Sequence, residues 1–204
     1  MNLALGALTA EDVQPVARLH RAAFPGFYLS TLGEPFLVQF YRGFLTDDTA
    51  ITFVGKGQDG SLRGAVVGTT QPAGFFGRLL KRQWLGFAMA SAKAVMANPR
   101  AAPRLIRAVR YRGGAPGGAD GALLSSICVA PSEQRAGIGR QLVEAWLDEV
   151  ARRGVHAAYL TTDAEKNDAV NTFYQAQGWV LSEKSRTPEG RAMNRYTIAL
   201  DRPR

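Results

Sequence analysis

The stretch Gln134-Arg135-Ala136-Gly137-Ile138-Gly139-Arg140 is the place where residue types and spacing could do chemistry. It follows an apolar run ending Ile127-Cys128-Val129-Ala130-Pro131 and opens a helix that presents Leu142, Val143, Trp146, Leu147 and Val150 on one side. Such a turn leaves backbone N–H groups unpaired at a helix N-terminus, where the helix dipole favours an anion by about 0.3–1 kcal/mol. Gly137 and Gly139 allow a phosphate to come close to the backbone. The spacing fits a pyrophosphate cradle or a plain glycine-relieved turn. It is neither the dinucleotide fingerprint nor the phosphate loop of nucleotide triphosphatases, which argues against a nicotinamide cofactor or ATP. Cys128, the single cysteine, has no basic partner in sequence and reads as a core thiol on a strand, and alone it excludes an internal disulfide. His20 and His156 stand far apart, so no metal site is expected, and both read as structural or surface residues.

The elements that must position this turn follow from hydrophobic periodicity. A short strand over 2–8 leads to a helix capped by Thr9 with Asp12 in its first turn, whose inner face carries Val13, Val16, Ala17, Leu19 and His20. An exposed aromatic loop, Phe24-Pro25-Gly26-Phe27-Tyr28-Leu29-Ser30, precedes a helix with Phe36, Leu37, Phe40, Tyr41 and Phe44. Runs 50–55 and 62–70 form a hairpin around Gly57-Gln58-Asp59-Gly60. Two basic helices, 78–97 and 100–112, are expected next, then the glycine-rich 113–118 and a strand over 122–129. The helix over 137–153 stops at Gly154, and a strand 155–161, a helix 167–177 and a hairpin of 179–186 with 192–200 complete the chain.

Gln134 to Gly139 reproduces the Q/R-x-x-G-x-G/A acyl-CoA loop of the GNAT acyltransferase superfamily. Asn167, Val170, Tyr174 and Gly178-Trp179 resemble that family's N-x-x-A-x-x-x-Y-x-x-x-G-F pattern on its penultimate helix. The resemblance covers most of the chain and implies an α/β fold. Its central sheet is mixed, largely antiparallel and splayed between strands four and five, with flanking helices. Residues 72–118 form a helical basic insertion between strands three and four. It also implies acetyl-CoA as co-substrate, with the amides of Ile127, Cys128 and Val129 beside the pantetheine arm. Gln134, Arg135, Ala136, Gly137, Ile138, Gly139 and Arg140 would surround the pyrophosphate, and Asn167 would bond the cofactor beyond it. Tyr174 would protonate the departing thiolate, though its residue type alone equally fits a core aromatic. Phe27 and Tyr28 lie where relatives shape the acceptor site, or simply anchor the core. The family's usual carboxylate on the fourth strand is absent from Ala122-Leu123-Leu124-Ser125-Ser126-Ile127, which leaves Asp120, Asp163 or water held by Ser125 or Ser126 as the base. A base matters, because an alkylamine of pKa about 10.4 needs about 4.6 kcal/mol to be neutral at pH 7.

Length and charge bound the rest. The 204 residues, 46% apolar and 21% charged, suit one globular domain, 1–204, with 72–118 inserted. No apolar run is long enough to span a membrane and no secretion signal opens the chain, so a cytoplasmic protein is expected. The net charge of +8 is local. Residues 60–119 hold ten basic side chains and no acidic one. These readings converge on an N-acetyltransferase acting on a primary amine of a small molecule, with an anionic acceptor such as an amino-sugar nucleotide as one option for the basic segment. The alternatives are a protein or peptide N-acetyltransferase and, in another class, a nucleic-acid or membrane-surface binder using the basic helices. No specific nucleic-acid motif is visible, and a homodimer would follow only from family habit.

Overall fold

The structure, a computed structural model, describes residues 3–97, 120–188 and 190–200, without the side chains of 28 and 93–97. The chain runs β1 (Ala4–Gly6), α1 (Val13–Ala23), α2 (Tyr28–Thr31), α3 (Glu34–Leu45), β2 (Ala50–Lys56), β3 (Leu62–Thr69), α4 (Phe75–Arg82) and α5 (Trp84–Ala97). It continues through β4 (Ala122–Val129), α6 (Ile138–Arg152), β5 (Ala157–Asp163), α7 (Asp168–Gln175), β6 (Val180–Arg186) and β7 (Ala192–Ala199). The seven strands form one sheet in the order β1-β2-β3-β4-β5-β7-β6. Every neighbouring pair is antiparallel except β4 and β5.

Two apolar clusters hold the layers together. Val16, Leu37, Phe40, Phe44, Phe75, Leu79 and Phe87 join α1, α3, α4 and α5 to one side of β2, β3 and β4. Leu142, Val143, Trp146 and Val150 of α6 cluster with Val66, Leu124, Leu160, Tyr174 and Tyr196. Gly68 of β3 makes the second cluster fit, since a Cβ there would stand 2.4 Å from both the Leu123 carbonyl oxygen and the Trp146 ring. Gly68→Ala therefore destabilises the chain toward the upper end of the roughly 1–3 kcal/mol range for overpacking, because a backbone atom blocks relief. A lower urea midpoint shows this, and an unchanged midpoint contradicts it.

Three local readings need correction. The first strand is shorter than 2–8, and Thr9 does not cap α1. Asp12 accepts instead from the Thr9 amide (3.1 Å) and hydroxyl (2.7 Å) and pairs with Lys56 Nζ (2.7 Å), which makes a turn of 9–12. The first helical bond then runs from the Val16 amide to the Asp12 carbonyl. The helix expected over 78–97 is two helices broken at Gln83. The break lets both reach α3, with Leu79 filling the space beside Gly43 and Phe87 meeting Phe36 edge-on at 5.1 Å. The strand expected over 155–161 is β5, two residues further on. The second basic helix, 100–112, and the glycine-rich 113–118 lie outside the described residues.

Candidate active site

β4 and β5 pair only at Ala122 with Ala158 and Leu123 with Tyr159. Beyond Leu123 the β5-facing edge of β4, which includes Ile127, Cys128 and Val129, has no strand beside it among the described residues. On its other edge β4 pairs with β3 and slips once, leaving Ser125 unpaired between Leu124 and Ser126. This bulge reverses the alternation of side chains. Ala122 and Leu124 before it, and Ile127 and Val129 after it, all belong to the α6 cluster. Ser126 and Cys128 are thereby turned toward α1 and α3.

The 134–140 turn lies at the C-terminal end of that open edge. Arg135 and Gly137 adopt positive φ, 70° and 80°. Gly137 precedes α6, whose start has no side-chain cap, and the first helical bond comes from the Gln141 amide to the Gly137 carbonyl. The amides of Ile138, Gly139 and Arg140 therefore point out of the helix without intrahelical partners. A Cβ on Gly137 would meet nothing within 4 Å, so the space beside it is open. Gly139 is tight, its Cβ position being 3.3 Å from the Phe173 ring of α7 and 3.7 Å from Val129 of β4. Gln134, Arg135, Ala136 and Arg140 are exposed, and Arg140 pairs with Glu144 at 2.7 Å. A cavity of about 380 Å³ adjoins the turn, lined in part by Arg63, Glu133, Ala136, Ile138 and Gln141. The unpaired amides fit an anionic ligand, whereas the cavity, lined also by Asp59, lies on the β2–β3 hairpin side of the turn.

Tyr174 is 5% exposed and packs against Phe173, Trp179 and Tyr196. Burial pushes its phenol above the ordinary tyrosine value, so it stays protonated at neutral pH. Asn167 is the residue before α7, and its Nδ2 donates to Thr162 Oγ1 (2.8 Å) and the Asp163 carbonyl (3.1 Å). Only its Oδ1 is left to offer outward. Asn171, one helical turn on, was not singled out from sequence. Its Nδ2 donates to the Asp163 and Asn167 carbonyls, and its Oδ1 accepts from Asn194 and Tyr196. The repeat Asn167-x-x-x-Asn171 was the available signal.

Among the proposed bases, Asp120 is exposed, and Asp163 accepts from Arg191 Nη2 at 2.6 and 2.7 Å. The Arg191 guanidinium also lies over the Phe27 ring, 5.4 Å from its centre. Phe27 is thus joined to the β6–β7 loop across the sheet, a contact with no trace in local sequence. Tyr28 opens α2, and its side chain is outside the description. Ser126 lies 3.3 Å from the Tyr41 hydroxyl, which shares a 2.7 Å hydrogen bond with His20 Nδ1. This buried chain, His20–Tyr41–Ser126, also escaped sequence reading. Burial lowers His20 to about 4 and pushes the Cys128 thiol up to about 12, which fits a core thiol and not a nucleophile.

His20 has a consequence for stability. Its ordinary value is 6.5, so below that pH the unfolded chain takes up a proton that the folded chain refuses. The contribution is fully present above pH 6.5 and is lost as pH falls toward 4. Between pH 7 and 5 the unfolding free energy drops by about 2 kcal/mol, from about 1.36 kcal/mol per unit. His20→Gln removes most of that slope. Equal slopes in denaturant titrations of the two proteins would exclude His20 as its source.

The geometry has its counterpart among known proteins. The acetyltransferase (GNAT) family model matches residues 14–179. The ribosomal-protein-S18-alanine N-acetyltransferase of Escherichia coli superposes with a TM-score of 0.61 at 16% identity, over 100% of this chain and 97% of that one. Salmonella typhimurium yncA, solved with its cofactor acetyl-CoA, gives 0.61 at 13% over 100% and 97%. The spermidine/spermine N-acetyltransferase SpeG of Vibrio cholerae gives 0.55 at 17% over 97% and 95%. At these identities the likeness is one of fold. No curated protein matches the sequence. The family match spans most of the chain, and the splayed β4–β5 pair and glycine turn are the family's expected features: the chain belongs to the acetyltransferase (GNAT) family, enzymes whose co-substrate is acetyl-CoA.

Proposed function

We propose that this chain transfers the acetyl group of acetyl-CoA to a primary amine of a small, cationic molecule. The observation that carries the reading is the open edge of β4 beyond Leu123, ending at the unpaired amides of 138–140. Acetyl-CoA supplies an acetyl group activated as a thioester. The amides of Ile127 and Val129, which face away from β3 while that of Cys128 is turned toward Ala65, line its pantetheine, and residues 134–140 take its pyrophosphate, largely through main chain. Asn167 contributes Oδ1 at most.

The amine nitrogen attacks the thioester carbonyl. A C–N bond forms, the C–S bond breaks, the nitrogen loses one proton and the sulfur gains one. Tyr174 gives the sulfur its proton and takes one back from water to close the cycle. Its raised pKa makes it a weak acid, but thiolate charge developing in the same buried surroundings has its proton affinity raised for the same reason. The amine's proton leaves through the hydroxyls of Ser125 and Ser126 to water, with Tyr41 orienting Ser126. His20 is too weak a base at neutral pH to keep it.

The acceptor reading comes from Phe27 and Asp163. In the structure the Arg191 cation sits between an aromatic face and a carboxylate. An alkylammonium that displaces the Arg191 side chain meets the same two partners. The anionic-acceptor option has only Lys81 to draw on among the described side chains of the basic segment, since Arg63, Arg78 and Arg82 already pair with Glu133 or Asp47. The test is a thiol-release screen of polyamines, amino sugars and peptides against acetyl-CoA. Polyamine-like acceptors are expected to react, with Asp163→Asn raising their KM at least about tenfold and leaving acetyl-CoA binding intact. Turnover confined to peptides, or an unchanged KM in Asp163→Asn, would overturn the acceptor assignment.

A further inference from the structure

Helix α5 is apolar on both of its sides. Phe87 and Ala90 are buried on the α3 side. On the other side Trp84, Leu85, Ala88, Met89 and Ala92 all face solvent, with Trp84, Leu85 and Met89 exposed by 60%, 58% and 65%. At about 100° per residue these five positions cover roughly 140° of the helix surface without one polar side chain. Single exposed apolar residues need no explanation, but a continuous stripe marks a contact surface.

Charge identifies the neighbour. Lys81 and Arg82 are exposed on the last turn of α4, beside Trp84. Residues 60–119 carry ten basic side chains and no acidic one. A second copy offers the same excess of basic residues over 60–119 and no acidic partner from that segment. A nucleic acid would satisfy the charge and leave Trp84, Leu85 and Met89 unmatched. An anionic bilayer surface satisfies both, with lipid phosphates for the exposed Lys81, the headgroup layer for an indole and the acyl boundary for Leu and Met. No described helix is long and apolar enough to cross a membrane. We propose that α5, with the end of α4, docks lengthwise on anionic lipid and holds the acetyltransferase at a membrane surface.

The chain has three tryptophans, and Trp146 and Trp179 are 0% and 2% exposed, so acrylamide quenching reports on Trp84. The full chain is mixed with vesicles of phosphatidylcholine, with or without phosphatidylserine, and with duplex DNA, and followed by sedimentation and quenching. The expected result is co-sedimentation with phosphatidylserine vesicles only, weakened by salt, together with protection and a blue shift of Trp84. The triple variant Trp84→Ser, Leu85→Ser, Met89→Ser should bind vesicles at least about tenfold more weakly. Its acetyl-CoA binding should be unchanged, which shows that it folds. Four results overturn the proposal: no vesicle binding by the wild type, vesicle binding with Trp84 still quenched, equal binding by the variant, or Trp84 protected through self-association or by DNA instead of lipid.

Discussion

Replacing Tyr174 by phenylalanine lowers kcat for acetyl transfer by about 10²–10⁴-fold while acetyl-CoA binding stays within a few-fold. The aromatic ring makes the packing contacts, edge-on with Phe173 at 5.1 Å and Trp179 at 5.8 Å, and phenylalanine keeps them. No group among the described residues hydrogen-bonds the Tyr174 hydroxyl, so its removal leaves no partner unsatisfied. The substitution therefore removes only a proton donor. If Tyr174 were simply a core aromatic, the variant would turn over like the wild type, and steady-state kinetics separates the two roles. The variant's melting temperature should match the wild type's, which makes a loss of activity interpretable.

The second large effect is expected at Gly137. Its φ of 80° and ψ of 0° place it in the left-handed region, where aspartate and asparagine are the side chains best tolerated after glycine. Nothing lies within 4 Å of its Cβ position, so Gly137→Asp folds and sets a carboxylate where the proposed pyrophosphate would lie. Affinity for acetyl-CoA should fall by about 100-fold or more, with the uncharged Gly137→Asn falling clearly less. Ligand-induced stabilisation reads this out. At a concentration about 100 times the wild-type Kd, acetyl-CoA stabilises the wild type by about 2.7 kcal/mol, but a variant weakened about 100-fold by only about 0.4 kcal/mol. Equal melting shifts in wild type and Gly137→Asp would place the pyrophosphate elsewhere.

These effects arise at positions that were legible for a physical reason. The turn at 134–140 and the register of Tyr174 on its helix are short-range features, set by glycine, helix starts and a period of 3.6 residues. The splay of β4 from β5 was legible only through family resemblance, because strand divergence leaves no local pattern. The features that escaped were long-range. Arg191 meets Phe27 and Asp163 from distant parts of the chain, and Tyr41 meets His20 and Ser126 from three different elements. The break at Gln83 escaped because helical periodicity continues through it, and the requirement to reach α3 twice is tertiary. Thr9 misled because Asp12, also a good capping residue, is drawn off the expected pattern by Lys56.

The most direct measurement is a calorimetric titration of the wild-type chain with acetyl-CoA. The account predicts one saturable site per chain, with a Kd in the micromolar range usual for such co-substrates, competed by free CoA. The absence of saturable heat together with no thermal stabilisation at millimolar acetyl-CoA would contradict it.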